Sequence, residues 1–131
     1  MVLGKLYTSS GSSRQFKVLI AAKYVGVDIE TTPNFQISTD TRTPEFLAKF
    51  PIGKVPAFET PEGFAVTDST AIAYYVASKG NNPDFLGKTP EETASILQYL
   101  FFASAEISGT VAQTIYPRLG YTPYVKPAVQ A

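Results

Sequence analysis

Neither histidine nor cysteine occurs among the 131 residues, and those two absences remove whole classes of chemistry. Without cysteine there is no disulfide framework, zinc ribbon, iron–sulfur cluster, thiol nucleophile or redox dithiol. Without histidine the Ser-His-Asp and Cys-His relays are closed as well, and no metal site is expected. An excess of charge of one sign is also lacking. Eleven basic residues face 11 acidic ones, and Lys5, Arg14, Lys23, Arg42 and Lys54 are scattered rather than clustered, so the electrostatic footprint of a nucleic-acid surface is missing and no direct contact with tRNA or DNA is expected. Long apolar runs are missing too. Lys, Asp or Pro interrupts each one well short of the roughly 18–20 residues that cross a bilayer, and Met1 is not followed by the basic start and apolar stretch of a secretory signal. The expectation is a soluble cytoplasmic protein with no membrane partner.

What is present is 44% apolar residues, ten prolines and nine glycines, enough for one compact domain or one domain plus part of a second. An apolar run at residues 2–7 reads as a strand, and the small residues 8–13 read as a turn offering helix caps. Residues 14–25 place Phe16, Leu19, Ile20 and Tyr24 on one helical face, with Gly26 where a terminating glycine belongs. Residues 27–32 read as a second strand and 34–42 as a surface loop. Thr43-Pro44-Glu45 starts a helix over 44–50. Residues 55–59 and 64–67 form a hairpin around the turn 60–63, and Asp68-Ser69 opens a helix burying Ile72, Tyr75 and Val76.

This βαβαββα unit, residues 1–80, ends at a turn-rich connector containing Asn81-Asn82-Pro83-Asp84. A second unit, residues 89–131, begins with the capping box Thr89-Pro90-Glu91-Glu92, succeeded by a helix with an apolar stripe of Ile96, Leu97, Leu100 and Phe101. Pro117, Gly120, Pro123 and Pro127 prevent that helix from continuing, so an irregular tail is expected from residue 114. Such a tail is too short to cover the stripe alone, which points to packing on the first unit or to self-association.

Three places could carry chemistry. Lys54-Val55-Pro56 has a proline where a strand starts, which suits either an edge or bulge, or a cis proline that turns the backbone groups of Val55 toward an extended peptide ligand; its place between helix and hairpin favours the second. Asp68-Ser69 suits a plain helix cap, or a site where a helix N-terminus meets a carboxylate while the acid meets an ammonium. The hydroxyl-rich turn 8–13 suits a polar linker, or a set of donors beside a helix N-terminus that would stabilise a thiolate. Tyr7 is either strand filler or a phenol at the site.

The βαβαββα order, Val55-Pro56 before a hairpin and Asp68-Ser69 opening the next helix resemble the thioredoxin-like N-terminal half of glutathione transferases. Thr43-Pro44-Glu45-Phe46-Leu47, the run from Lys49-Phe50-Pro51 through Gly53-Lys54-Val55-Pro56-Ala57-Phe58-Glu59, and Ala71-Ile72-Ala73-Tyr74-Tyr75-Val76 are similar to the transferase-like domains of gamma subunits of eukaryotic translation elongation factor 1. The resemblance implies an α/β fold, a thioredoxin-like unit followed by the beginning of an all-helical glutathione transferase C-terminal unit. Of that helical unit only the first long helix and the start of the next segment are expected here. The resemblance implies no required cofactor, with glutathione as ligand or substrate: Val55 and Pro56 would meet its cysteinyl backbone, Asp68 and Ser69 its γ-glutamyl end and Lys54 its glycyl carboxylate. Tyr7 would lie near this site, and Ser10 or Ser12 would activate the thiol. Two functions are implied by the resemblance. One is a scaffold domain that anchors the nucleotide-exchange (beta-type) subunit of elongation factor 1; the other is an active transferase conjugating glutathione to electrophiles.

Overall fold

The computed structural model describes residues 1–124, which divide into two units, Met1–Lys88 and a second that begins at Thr89. In the first, β1 (Val2–Tyr7), α1 (Ser13–Val25), β2 (Asp28–Thr31), α2 (Ile37–Asp40), α3 (Pro44–Lys49), β3 (Ala57–Glu59), β4 (Ala65–Thr67) and α4 (Ser69–Ser78) follow one another. The sheet has the order β2-β1-β3-β4. β1 runs parallel to β2 and antiparallel to β3, and β4 is antiparallel to β3. This is the expected thioredoxin-like arrangement.

Strand alternation divides the interior in two. Leu6, opposite Phe58 in the ladder, faces α1 and α4, where Val18, Ala21, Ala22, Ile72, Ala73 and Val76 complete the larger core. Tyr7, opposite Ala57, faces the other side, where Phe46 and Phe50 from α3 and its C-cap close a smaller aromatic core.

The caps are local and obey sequence rules. Ser12 Oγ accepts the Gln15 N–H and Thr43 Oγ1 accepts the Phe46 N–H, each satisfying an otherwise orphan donor of the first turn. Gly26 ends α1 at φ 69°, the left-handed region open to glycine, and its N–H reaches the Ala22 and Lys23 carbonyls.

The buried face of α1 is not the one its large residues suggest. Val18, Ala21, Ala22 and Val25, at i, i+3, i+4 and i+7, turn inward, whereas Phe16, Ile20 and Tyr24 are 50%, 55% and 69% exposed and Leu19 is only partly buried. Alanine has little apolar surface and so little weight in a periodicity argument. It does allow a close helix approach, here to Ala73 and Ala77 on α4. The stretch 34–42 also departs from a plain loop, because α2 forms within it and Thr41 is buried with its hydroxyl donating to the Ile37 carbonyl.

In the second unit Thr89 caps α5 (Pro90–Phe102), its Oγ1 accepting the Glu92 N–H at 3.2 Å. The helical path ends at Thr114, where the irregular tail is expected to begin, but it is not one regular helix: a π-helical segment (Ala103–Ile107) joins α5 to α6 (Ser108–Thr114). The Ser108 hydroxyl spans the wider turn by donating to the Ala103 carbonyl at 3.0 Å. Of the expected apolar stripe, Ile96, Leu97 and Leu100 are half-buried but Phe101 is exposed, as are Tyr99 and Phe102. The end of the expected tail, residues 125–131, lies outside the described residues. Among the described residues no helix is long and apolar enough to cross a membrane.

Candidate functional site

The ladder register brings three of the sequence candidates to one end of the sheet. Ala57 pairs with both Tyr7 and Thr67, so the residues just before β3, just after β1 and just after β4 are neighbours. Those residues are Val55-Pro56, the turn starting at Thr8, and Asp68-Ser69.

The Val55–Pro56 peptide bond is cis, and Pro56 is buried while Lys54 is exposed. Val55 precedes the first ladder pair, and its N–H and C=O take part in no backbone hydrogen bond among the described residues. An unpaired residue just before a strand is the group that backbone pairing with a peptide needs.

Asp68 has φ 73° and ψ 126°, a conformation costing a non-glycine residue roughly 1–3 kcal/mol. One of its carboxylate oxygens accepts the N–H groups of Thr70 at 2.8 Å and Ala71 at 3.3 Å, which offsets that cost and caps α4. Ser69, 3% exposed, turns its hydroxyl toward α1, where Lys17 Nζ donates to Ser69 Oγ at 3.1 Å and to Thr70 Oγ1 at 3.2 Å. Burial holds the Lys17 ammonium below the usual lysine range; the Asp68 carboxylate opposes that shift and Arg14 adds to it.

In the turn before α1, Thr8 is buried and its hydroxyl donates to the Ser9 carbonyl. The Gly11 N–H donates to Gln15 Oε1 at 2.9 Å. Ser12 is occupied as the cap acceptor, which leaves its own proton to donate, and Ser10 is exposed.

The structure decides what Tyr7 does in the fold. Its ring sits edge-on among Phe35, Phe46 and Phe50, with centroids 5.7 to 5.9 Å apart, and its hydroxyl donates to Glu59 Oε2 at 3.0 Å. Lys49 Nζ lies 2.7 Å from Glu59 Oε1. The tyrosine pKa is raised by burial and then by Glu59; the lysine hydrogen bond depresses Glu59, and Glu59 in turn raises Lys49. This triad ties α3 to β3.

A glutamate depressed in the folded state contributes stability above its ordinary pKa, which is lost as pH falls through the folded value. Glu59→Gln should therefore cost about 0.5–1 kcal/mol at neutral pH. The deficit should close as the medium is acidified below the ordinary glutamate value of 4.5. Urea titrations of both proteins at several pH values check this, and a deficit undiminished at a pH of about 3, well below the ordinary glutamate range, would assign it to packing.

Sequence reasoning missed Lys17, Lys49 and Glu59 as site and support residues. Lys17 and Ser69 are 52 residues apart, and no local pattern marks a lysine one turn into a helix as reaching another helix. Among the described residues there is no cluster of acids suited to a metal ion.

Comparisons with known proteins agree with this fold. Elongation factor 1-gamma 3 of Oryza sativa subsp. japonica is 44% identical over 120 residues, covering 92% of this chain and 29% of that protein. The chain thus spans less than a third of that relative's length. The crystal structure of the GST-like domain of elongation factor 1-gamma from Saccharomyces cerevisiae superposes with a TM-score of 0.72 at 28% identity, covering 99% of this chain and 60% of that one. A delta-class glutathione transferase of Nilaparvata lugens reaches a TM-score of 0.84 at 30% identity, covering 97% and 60%. Residues 2–78, from β1 to the end of α4, match the model of the glutathione S-transferase N-terminal domain, so the chain belongs to that family and is similar, within it, to the domain that elongation factor 1-gamma carries.

Proposed function

We propose that the chain is the transferase-like interaction and scaffold domain of an elongation factor 1 gamma subunit, working in the cytoplasm to anchor the nucleotide-exchange subunit during translation elongation. The observation that carries this reading is 44% identity to elongation factor 1-gamma along 92% of the chain. The sequence has no phosphate-cradling G-x-x-x-x-G-K-[ST] loop, in keeping with a partner that handles no nucleotide itself. Exposed apolar side chains on α1 (Phe16, Ile20, Tyr24) and α5 (Tyr99, Phe101) offer surface for partner contact or self-association. Co-elution of the purified chain with the purified nucleotide-exchange subunit in size-exclusion chromatography is expected; separate elution at micromolar concentrations would overturn the reading.

Glutathione as a ligand is supported by the unpaired backbone of Val55 beside Asp68 and Ser69. In this reading Val55 pairs with the cysteinyl backbone, Asp68 and Ser69 meet the γ-glutamyl end, and Lys54 lies near the glycyl carboxylate. The same groups would serve weak conjugation of glutathione to electrophiles, with the proton of Ser12 or Ser10 directed at the thiolate near the α1 N-terminus. A conjugation assay with an aryl halide distinguishes the two uses of the site: turnover abolished by Ser12→Ala or Ser10→Ala marks a transferase, and binding without turnover marks a ligand site alone.

A further inference from the structure

A surface cavity of about 270 Å³ opens between the end of β1 and the helices α2 and α3. Its wall is aromatic. Tyr7, Phe35, Phe46 and Phe50 all line it, with the centroids of their contacting ring pairs 4.9 to 5.9 Å apart. Phe46 and Phe50 are buried, whereas Tyr7 and Phe35 are half-buried and so carry most of the ring surface that a ligand can meet. Three ionisable residues, Asp40, Glu45 and Lys49, complete the lining, and their charges are not equivalent. Lys49 is neutralised by Glu59 at 2.7 Å. Asp40 and Glu45 are in no ion pair among the described residues, and Asp40 uses one carboxylate oxygen to accept the Gln36 N–H. Arg42, close to both acids in sequence, has its guanidinium against Gly53 instead.

The cavity thus combines aromatic surface with uncancelled negative charge. A neutral apolar group would desolvate the carboxylates without compensation, while a cation is attracted by the acids and by the π electrons of the rings. At about 270 Å³ the space also lies below the roughly 300 Å³ at which small-molecule pockets begin, which fits one inserted side chain. Of the two cationic side chains, arginine has the planar group that stacks on rings and grips a carboxylate through two N–H donors, and it is the more weakly hydrated. We propose that this cavity is a docking site for an arginine side chain presented by a basic segment of a partner protein, the guanidinium lying against Tyr7 and Phe35 and pairing with Asp40 and Glu45. The inference goes beyond the scaffold reading by naming a surface and the chemistry it selects. It is independent of glutathione, since Val55, Asp68 and Ser69 take no part in the lining.

The test is an amide-resolved NMR titration of the intact chain with an N-acetylated, C-amidated Gly-Arg-Gly peptide, and with the same peptide carrying citrulline, which is isosteric but neutral, or leucine. The arginine peptide should shift the signals of residues 35–45 saturably, and the citrulline peptide should bind at least about fivefold more weakly. Glu45→Gln, at an exposed position, should lower the affinity for the arginine peptide about two- to fivefold and leave that for the citrulline peptide unchanged. Phe35→Leu should weaken arginine binding by a similar factor, about two- to fivefold. Signal dispersion shows whether each variant is folded; if Phe35→Leu is not, Glu45→Gln and the citrulline comparison still decide. Equal affinity for the arginine and citrulline peptides overturns the inference, as do the absence of saturable shifts at residues 35–45 and an arginine affinity unchanged in Glu45→Gln. Tighter binding of the leucine peptide would assign the cavity to an apolar segment, and shifts of the same signals with chain concentration alone would assign it to a second copy; either result overturns the inference.

Discussion

Gly80→Ala is expected to destabilise the first unit by about 2–4 kcal/mol, at or beyond the upper range for adding one carbon to a packed interior. Gly80 lies just past the C-cap of α4, against the C-terminal end of α1. A Cβ there would overlap the Cβ and Cγ2 of Val25 and its carbonyl oxygen. None of these can yield easily. Val25 is fully buried, its carbonyl accepts the Asn81 N–H at 3.0 Å, and the next residue is the left-handed glycine that ends α1. The added methyl must push the end of α1 away from the residues that follow α4, opening the core the two helices share. Urea denaturation should show a lower midpoint with little change in slope, and a midpoint within error of the parent would mean that the two helix ends slide freely.

Phe58→Ala should cost about 3–5 kcal/mol, the usual range for truncating a fully buried phenylalanine. The ring is fully buried between the sheet and the helices α1 and α4, with Leu6, Val18 and Ile72 in the same cluster. It also lies over Gly4, where a Cβ would come within 2.6 Å of the ring carbon Cζ, so the missing side chain at Gly4 and the large one at Phe58 are complementary in shape. Alanine at 58 leaves a cavity between two layers that can close only if a helix moves. Phe58→Leu should lose less than half as much. Against a total of about 5–15 kcal/mol for a domain, the alanine variant should be largely unfolded at temperatures the parent tolerates. Circular dichroism melting of the three proteins checks the order.

Beyond the element order, the site itself was partly legible in the sequence. Val55-Pro56 and Asp68-Ser69 stand out because proline at a strand start and an acid at a helix start each restrict the backbone locally, and the structure has the cis bond and the capping carboxylate at those positions. That the two lie at one end of the sheet follows from the ladder register around Ala57, which no single segment specifies. Of the two serines of the turn named as candidates, Ser12 caps α1 and Ser10 is exposed.

Neighbouring residues alone settled the βαβαββα order apart from α2, and the caps at Thr43 and Thr89, because steric limits on φ and hydrogen bonds to the first turn act over three or four residues. Tertiary packing settled the rest. The alanine-rich face of α1 was buried in preference to Phe16, Ile20 and Tyr24 because it lets α4 approach closely, and that is a property of the pair of helices. The Tyr7–Glu59–Lys49 and Lys17–Ser69–Thr70 groups join side chains up to 53 residues apart. Their partners meet only when the sheet and helices close, and with that closure the ionisable groups take the burial and charge environment that shifts them.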